Sequence, residues 1–300
     1  MAKAKFSCIV VIPVGPRTEI SFLNDTLRSV FDNARTSSKV LLIDNTQEGL
    51  AKSVIHRHEE IDFLRCTNRR RAKPLYGGLY FNLSKSWRVI LERYDFDTIL
   101  RLDDDALVIG PGADREAVEF FAAHPDVGCL GSYRFTCLGD RRDFTPARRL
   151  LRTETSVMGA LRHPRRWRSI RRMQRLARRN GYNDGEHCLG AAAFYSRACI
   201  ERLVQLNFLE RAELRQSKLG EDHIFGMMVR AAGMQLDDFA TEGKPLGLAW
   251  QGLPASPAIL MKMGKKIVHS VKSHGGRDQS QIRAEFRRLA AGGRVASGNG

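Results

Sequence analysis

Apolar positions follow two rhythms along the first third of the chain. Phe6 to Val14 is a near-continuous apolar run that closes on Pro13-Val14-Gly15-Pro16, the pattern of a strand buried on both faces followed by a loop. From Ile20 to Ala34 the rhythm changes: Phe22, Leu23, Leu27, Val30 and Phe31 recur at helical spacing. Lys39–Ile43 predicts a second strand, ending at Asp44-Asn45-Thr46, and Ile61–Cys66 a third. Leu79–Tyr94 predicts a helix with Leu83, Trp87, Ile90 and Leu91 on one face. A fourth strand, Asp97–Leu102, runs into Asp103-Asp104-Asp105. Strands alternating with helices predict an open, mostly parallel α/β sheet flanked by helices. In such sheets ligands sit beyond the carboxyl ends of the strands. The loops that begin at Pro13, Asp44 and Asp103 therefore share the binding edge.

The second half continues the pattern with an interruption. Strands are predicted over Asp126–Arg134, Leu189–Ser196 and Gln235–Ala240. Helices are predicted from Arg197 through Leu206 and over Asp222–Ala232, the latter closed by Gly233 at a C-cap position. Between them, residues 141–179 hold fourteen arginines against two acids, Asp143 and Glu154, which marks an insert of different chemistry. Projected at about 100° per residue, Trp167, Ile170, Met173, Leu176 and Ala177 gather on one side of a helix over 165–179, opposite its arginines. Such a basic amphipathic helix either lies on an anionic membrane or packs its apolar side on its own domain with the arginines solvated. Gly292 to Gly300 is Gly- and Ser-rich and reads as a flexible tail.

Charge changes the picture more than composition does. The 300 residues are 43% hydrophobic, ordinary for a globular chain, but carry a net charge of +16. That surplus calls for an anionic partner: a nucleotide, an acidic glycan, a membrane surface or a nucleic acid. Six cysteines form no C-x-x-C pair and sit in apolar stretches, as reduced, buried thiols do. The basic N-terminus is followed by too short an apolar run for a leader. No stretch approaches the ~20 apolar residues of a membrane span. A cytoplasmic protein, peripheral on the inner face of the plasma membrane if it meets one, is the expectation.

Two carboxylate motifs carry candidate chemistry. Asp103, Asp104 and Asp105 repel one another, and a divalent cation would relieve that repulsion. Mg²⁺ and Mn²⁺ characteristically join one or two carboxylates to substrate phosphates. A solvated acidic turn is the alternative. Glu221-Asp222 opens a predicted helix, where anions are favoured as caps, or where a carboxylate is placed as a general base for a sugar hydroxyl. Lys265, Lys266, His269, Lys272 and His274 form a C-terminal cluster of diphosphate- and metal-seeking side chains. The basic loop Asn68–Lys73, with Arg70 and Lys73, opens a helix, as phosphate-binding loops do. Trp250 and Gln251 either stack on a sugar or pack.

Together these motifs resemble nucleotide-sugar-dependent transferases of the glycosyltransferase A-type fold. Ile99–Asp105 looks like their D-x-D segment. Ile9–Val14 and Leu42–Asn45 look like the first two strands of glycosyltransferase family 2. Gly190–Arg197 is similar to their acceptor-side glycine segment. Glu221-Asp222 with Gly226 and Gly233 resembles the E-D helix of family 2 and of Fringe-like β-1,3-glycosyltransferases, and Ile267–Ser270 resembles a segment supplying a histidine to the metal. The resemblance covers about residues 6–135 and 187–275. It implies a single domain: a nucleotide-sugar donor half (1–135), the basic helical insert (136–186), an acceptor-binding and catalytic half (187–275), and a C-terminal helix with a tail (276–300). It also implies roles. Asp44 with Asn45 would contact the base, and Pro13, Gly15 and Arg17 would shape its pocket. Asp103 and Asp104 would line the donor site, and Asp103, Asp105 and His269 would bind the metal. Asp222 would be the base, supported by Glu221. The segment after Asp44, Asn45-Thr46-Gln47-Glu48-Gly49, departs from the family's acidic-Gly-Ser form.

The implied activity is an inverting hexosyl transfer, dependent on Mn²⁺ or Mg²⁺, from a nucleoside diphosphate sugar, a UDP-sugar by the resemblance, to a glycan or lipid-linked hydroxyl, as in polysaccharide biosynthesis. A retaining enzyme of the same fold is the alternative. A nucleic-acid-binding protein using the arginine helix is the alternative from another class, disfavoured because it leaves both carboxylate motifs without a role.

Overall fold

The computed structural model describes residues 3–46, 49, 53–54, 58–66 and 77–297. In chain order its strands are β1 (Ala4–Val14), β2 (Ser38–Asp44), β3 (Ile61–Arg65), β4 (Tyr94–Leu102), β5 (Leu107–Val108), β6 (Val127–Gly131), β7 (Ala192–Ser196), β8 (Gln235–Asp238), β9 (Leu246–Leu248), β10 (Ile267–His269), β11 (Ser273–His274) and β12 (Arg277–Asp278). The helices are α1 (Ile20–Asn33), α2 (Gly77–Arg93), α3 (Ala113–Ala123), α4 (Thr145–Glu154), α5 (Val157–Arg162), α6 (Pro164–Arg179), α7 (Arg197–Gln205), α8 (Glu221–Ala231), α9 (Pro257–Lys262) and α10 (Gln279–Ser297).

Among the described residues, seven strands form the central sheet in the order β3-β2-β1-β4-β7-β6-β8. All neighbours pair in parallel except β7, which runs antiparallel to both β4 and β6. Alternate residues of each central strand feed opposite cores, as the two-residue period of a strand requires. Ile9, Val11, Leu41, Ile43 and Ile99 join Tyr80, Leu83, Trp87 and Ile90 of α2 and Phe225 of α8 on one face. Cys8, Val10, Ile12, Val40, Leu42, Leu100 and Leu102 join Leu23 and Leu27 of α1 and Phe121 of α3 on the other. Arg101 shares the parity of Ile99, so its side chain enters the α2/α8 face.

The chain leaves β1 in one direction to build β2 and β3, then returns to place β4 on the other side of β1. Between β1 and β4 the strand order reverses, the position where open α/β sheets bind ligands. Pairing of β1 with β4 ends at Val11 and Arg101, so the strands part beyond it. Pro13, which has no N–H to give, sits past that point.

A second, three-stranded sheet, β5-β10-β9, was not anticipated from sequence because its strands are only two or three residues long. Its register sets Val268 opposite Leu107 and Ile267 opposite Val108, which delivers His269 to the acidic triplet. β6, β7 and β8 are shorter than the strands expected there, and two further boundaries shift. Tyr94 begins β4 instead of ending the preceding helix, because no loop separates them. α10 continues to Ser297 where a flexible tail was expected. The helix formers Leu289, Ala290 and Ala291 lead into Gly292 and Gly293, each of which costs about 1 kcal/mol in a helix.

Candidate active site

The triplet sits at the carboxyl end of β4, and its three members diverge. Asp103 places Oδ1 2.9 Å from Arg101 Nη2 and Oδ2 3.5 Å from His269 Nε2. Its backbone N–H donates to Ala191 O at 2.9 Å, which ties the triplet to the glycine segment before β7. Asp105 is buried, with Oδ1 3.2 Å from His269 Nε2, and Oδ2 accepts from Ser270 Oγ at 2.6 Å and meets Lys272 Nζ at 3.1 Å. Burial opposes its ionisation, but His269, Ser270 and Lys272 outweigh that and hold its carboxyl well below the usual range. Asp104 turns away to accept from Thr18 in the loop after β1, so it links the two loops that flank the crevice.

His269 reaches this cluster with its orientation set. Nδ1 donates to Ala249 O at 2.8 Å, so Nε2 is the atom aimed at the carboxylates. One ligand atom from each of Asp103, Asp105 and His269 lies within 4.8 Å of the others. Two carboxylates and an imidazole of fixed tautomer suit Mn²⁺ or Mg²⁺.

Arg101 is the functional residue that sequence reasoning missed. It is 3% exposed, and the same Nη2 that meets Asp103 also meets Glu221 Oε1 at 2.8 Å. Its Nε and Nη1 are buried without a hydrogen-bond partner. One guanidinium serving two buried carboxylates cannot fully satisfy both. Burial pushes Glu221 up to about 7, with Arg101 opposing and Asp222 and Asp103 reinforcing the rise. The signal was present: a lone charge inside the apolar run Ile99–Leu102.

Glu221 and Asp222 open α8, and glycines make room for them. A Cβ on Gly190 would stand 2.5 Å from Glu221 Oε1, and one on Gly220 2.5 Å from Asp222 Oδ1. Asp222 Oδ1 accepts the His223 N–H at 2.8 Å, and its oxygens lie 3.7 Å from Nε2 of both His187 and His223. Burial opposes ionisation of Asp222, yet the two histidines, that N–H and Arg142 bring its pKa below the normal value. Three groups, His187, Asp222 and His223, are close enough to suggest a second cation site. The donor chemistry does not fit. His187 Nδ1 donates to Gly185 O at 2.7 Å, and Nε2 accepts from Arg142 at 3.0 Å, which leaves no lone pair and puts a guanidinium beside the ion. Burial, Arg142 and His223 hold His187 at about 4, neutral in use. The cluster is a polar frame around Asp222.

Other expected residues divide. Asp44 ends β2 with Oδ1 accepting from Thr46 N (2.9 Å) and Oγ1 (2.6 Å) and Oδ2 paired with Arg65 at 2.8 Å, so it shapes the loop beside Asn45 at the binding edge. Gly15 donates to Thr18 Oγ1 at 3.1 Å, and Arg17 is exposed on the same loop. Arg70 and Lys73 lie outside the described residues. Of the C-terminal cations only Lys272 joins His269 at the triplet. Lys265 is spent on the carbonyls of Ala240, Thr241 and Lys244, and Lys266 pairs with Glu116. His274 bonds Leu253 O at 3.1 Å in the β11–β12 hairpin, apart from the metal-ligand group. Trp250 is 77% exposed, which excludes the packing reading, and it adjoins the Ala249 carbonyl that orients His269.

No family model matches the chain, and no curated protein matches it in sequence. Among solved structures it is similar to the galactosyltransferase LgtC in complex with donor and acceptor sugar analogs, at 11% identity over 95% of each chain with a TM-score of 0.51. The chain has a glycosyltransferase A-type fold. It also aligns with the mannosyltransferase PcManGT from Pyrobaculum calidifontis in complex with GDP-Man and Mn²⁺, at 16% identity over 68% of this chain with a TM-score of 0.38; it spans about half, 49%, of that protein's length. Within this glycosyltransferase A-type fold, Asp103, Asp105 and His269 gather at the carboxyl end of β4, and α8 brings Glu221 to Arg101 beside them.

Proposed function

We propose that the protein is a metal-dependent glycosyltransferase that moves a hexosyl group from a nucleoside diphosphate sugar, UDP being the favoured carrier, to a hydroxyl of a glycan or lipid-linked acceptor, with inversion. The observation that carries this reading is the convergence of Asp103, Asp105 and His269, from β4 and β10, on the crevice where the sheet reverses its strand order. These three residues would hold Mn²⁺ or Mg²⁺, which when bound neutralises charge on the diphosphate. The loops after β1 and β2, with Pro13, Gly15, Arg17, Asp44 and Asn45, would receive the nucleoside, and Arg70 and Lys73 are assigned to its phosphates on sequence grounds alone.

The chain's own residues then divide the work. Arg101, through Nη2, positions Asp103 and Glu221. Asp222 is ionised at neutral pH, so its carboxylate is in the form that accepts the acceptor's hydroxyl proton. The polar frame of His187, His223 and Arg142 keeps it in place. Trp250 offers an apolar face for an acceptor sugar. On this reading residues 1–135 are the donor half and 187–275 the acceptor half, with the insert between them facing an anionic membrane from the cytoplasmic side. Binding of a panel of nucleoside diphosphate sugars, read as thermal stabilisation with and without Mn²⁺, tests the proposal. At least one should stabilise the protein only with the metal. If none does, the donor-site assignment is wrong. The anomeric configuration of the product separates inversion from retention.

A further inference from the structure

Of the two readings the sequence left for the apolar side of α6, lying on a membrane or packing on its own domain, the structure shows the second. Ile170, Met173 and Ala177 are buried in the core with α8 residues. Apolar surface is exposed one helix earlier. α5 is six residues long, and Val157, Met158 and Leu161 are 77%, 53% and 73% exposed. Gly159 faces inward, since a Cβ there would stand 2.6 Å from Glu154 O, and this turns its three large neighbours outward. Exposed large apolar side chains grouped on one short helix face are unusual on a lone soluble surface.

The surroundings of α5 are cationic. Arg162 ends the helix and Arg165 lies in the first turn of α6, and both are exposed. Arg165 also lines a cavity of about 290 Å³ together with Arg168, Arg172, Arg211, Ser169 and Glu213. Arg211 pairs with Glu213 at 2.7 Å, so that cavity keeps a threefold positive surplus. Arg165 and Arg168 meet no carboxylate among the described residues, and Arg172 only overlies the Phe208 ring at 5.4 Å. Guanidinium groups that share one cavity repel one another, and an anion there would offset that repulsion.

We propose that α5 and the arginine cavity of α6 form a docking face for a bilayer containing anionic phospholipid. Val157, Met158 and Leu161 enter the headgroup–acyl boundary, and Arg165, Arg168, Arg172 and Arg211 take lipid phosphates. The two halves select this occupant together. A bilayer offers an apolar phase and phosphate charge within the same few ångströms. A nucleic acid offers charge without the apolar phase. A second copy of this chain would set arginines against arginines. Leu161 and Arg165 are four residues apart, so they lie within about 14 Å even if fully extended. The proposal deepens the membrane-contact reading above and is independent of the metal site.

The test is flotation of the full chain with phosphatidylcholine vesicles, with and without phosphatidylglycerol. Wild type should float with the anionic vesicles only. V157S/M158S/L161S should weaken partitioning at least about tenfold. R165E/R168E/R172E should weaken it about a hundredfold or more, at roughly fivefold or more per arginine. R115E/K262E/R288E, which reverses three exposed cations elsewhere, should change it less than about threefold. Circular dichroism and Mn²⁺-dependent nucleotide binding should be unchanged in all three. No flotation of wild type overturns the proposal. So does an apolar variant that floats normally, or a distant charge reversal as damaging as the local one. Arginine-dependent binding of duplex DNA without vesicle binding also overturns it and favours a nucleic-acid partner. Normal flotation without metal-dependent nucleotide binding would overturn the transferase reading instead.

Discussion

Arg142 offers a quantitative handle on the frame around Asp222. Its guanidinium donates to Ser132 O at 2.5 Å, Tyr133 O at 3.1 Å and His187 O at 2.7 Å, and to His187 Nε2 at 3.0 Å. Arg142→Met keeps an apolar stem and removes both charge and donors. Acceptors left buried without a partner cost about 1–3 kcal/mol each, and water reaching some of them limits the loss to about 3 kcal/mol at pH 7. The charge has a separate signature. Burial first, then Arg142 and His223, hold His187 at about 4. A cation about 4 Å away is worth up to ~4 kcal/mol at an effective dielectric of 20, and local relaxation absorbs about half. His187 in the variant should therefore titrate about 1–2 higher, still below its unfolded value because burial persists. The sign for stability follows. A histidine whose folded pKa is depressed contributes stability above its unfolded pKa of ~6.5 and loses it as pH falls through the folded pKa. Wild type should lose on the order of 3 kcal/mol from this group between pH 6.5 and pH 4, and the variant about half of that. The gap between the two proteins should thus narrow by about 1–2 kcal/mol on the acid side. Urea unfolding across pH and NMR titration of the imidazoles measure both quantities. A His187 pKa unmoved by the substitution, or a stability gap independent of pH, would refute the argument that Arg142 keeps this ring neutral.

Asp222→Asn should lower turnover by at least about 10²-fold with donor binding unchanged; lost donor binding would mean a structural role instead. Gly226→Ala should destabilise by about 1–3 kcal/mol, since the new Cβ would stand 2.8 Å from Glu186 O and 2.9 Å from His187 Cα, and chemical unfolding reads it. Trp250→Ala should raise the acceptor KM about tenfold without changing donor affinity, and a proportional fall in kcat alone would count against stacking.

Much of the fold was legible because its elements are long and periodic. β1, α1, β2 and α2 each carry enough buried residues for their period to show, and the triplet's place at the end of β4 followed from that order. The strand pairings behind the site were not legible from periodicity, and His269 was grouped with Asp103 and Asp105 through the resemblance alone. His269 meets Asp105 through a three-residue strand whose partner has two residues, and no periodicity can be read at that length. Arg142 was one arginine among fourteen, and composition cannot separate the one that turns inward to carbonyls from those that stay solvated. The amphipathic reading of α6 was correct as a pattern, but it could not say whether the apolar side met lipid or α8. Lys265 looked like a phosphate ligand until the carbonyls of the β8–β9 connection were seen to consume it. No helix among the described residues is long and apolar enough to cross a membrane.

The central claim is that Asp103, Asp105 and His269 form one metal site serving a nucleoside diphosphate. Titration calorimetry of UDP into the protein, with and without Mn²⁺, addresses it directly, with Asp105→Asn and His269→Gln alongside. Wild type should bind UDP with an affinity that rises at least about tenfold when Mn²⁺ is present, and both variants should lose that increment while remaining folded. UDP, GDP and the other nucleoside diphosphates all binding equally with and without the metal, or both variants retaining the metal-dependent gain, would contradict the account.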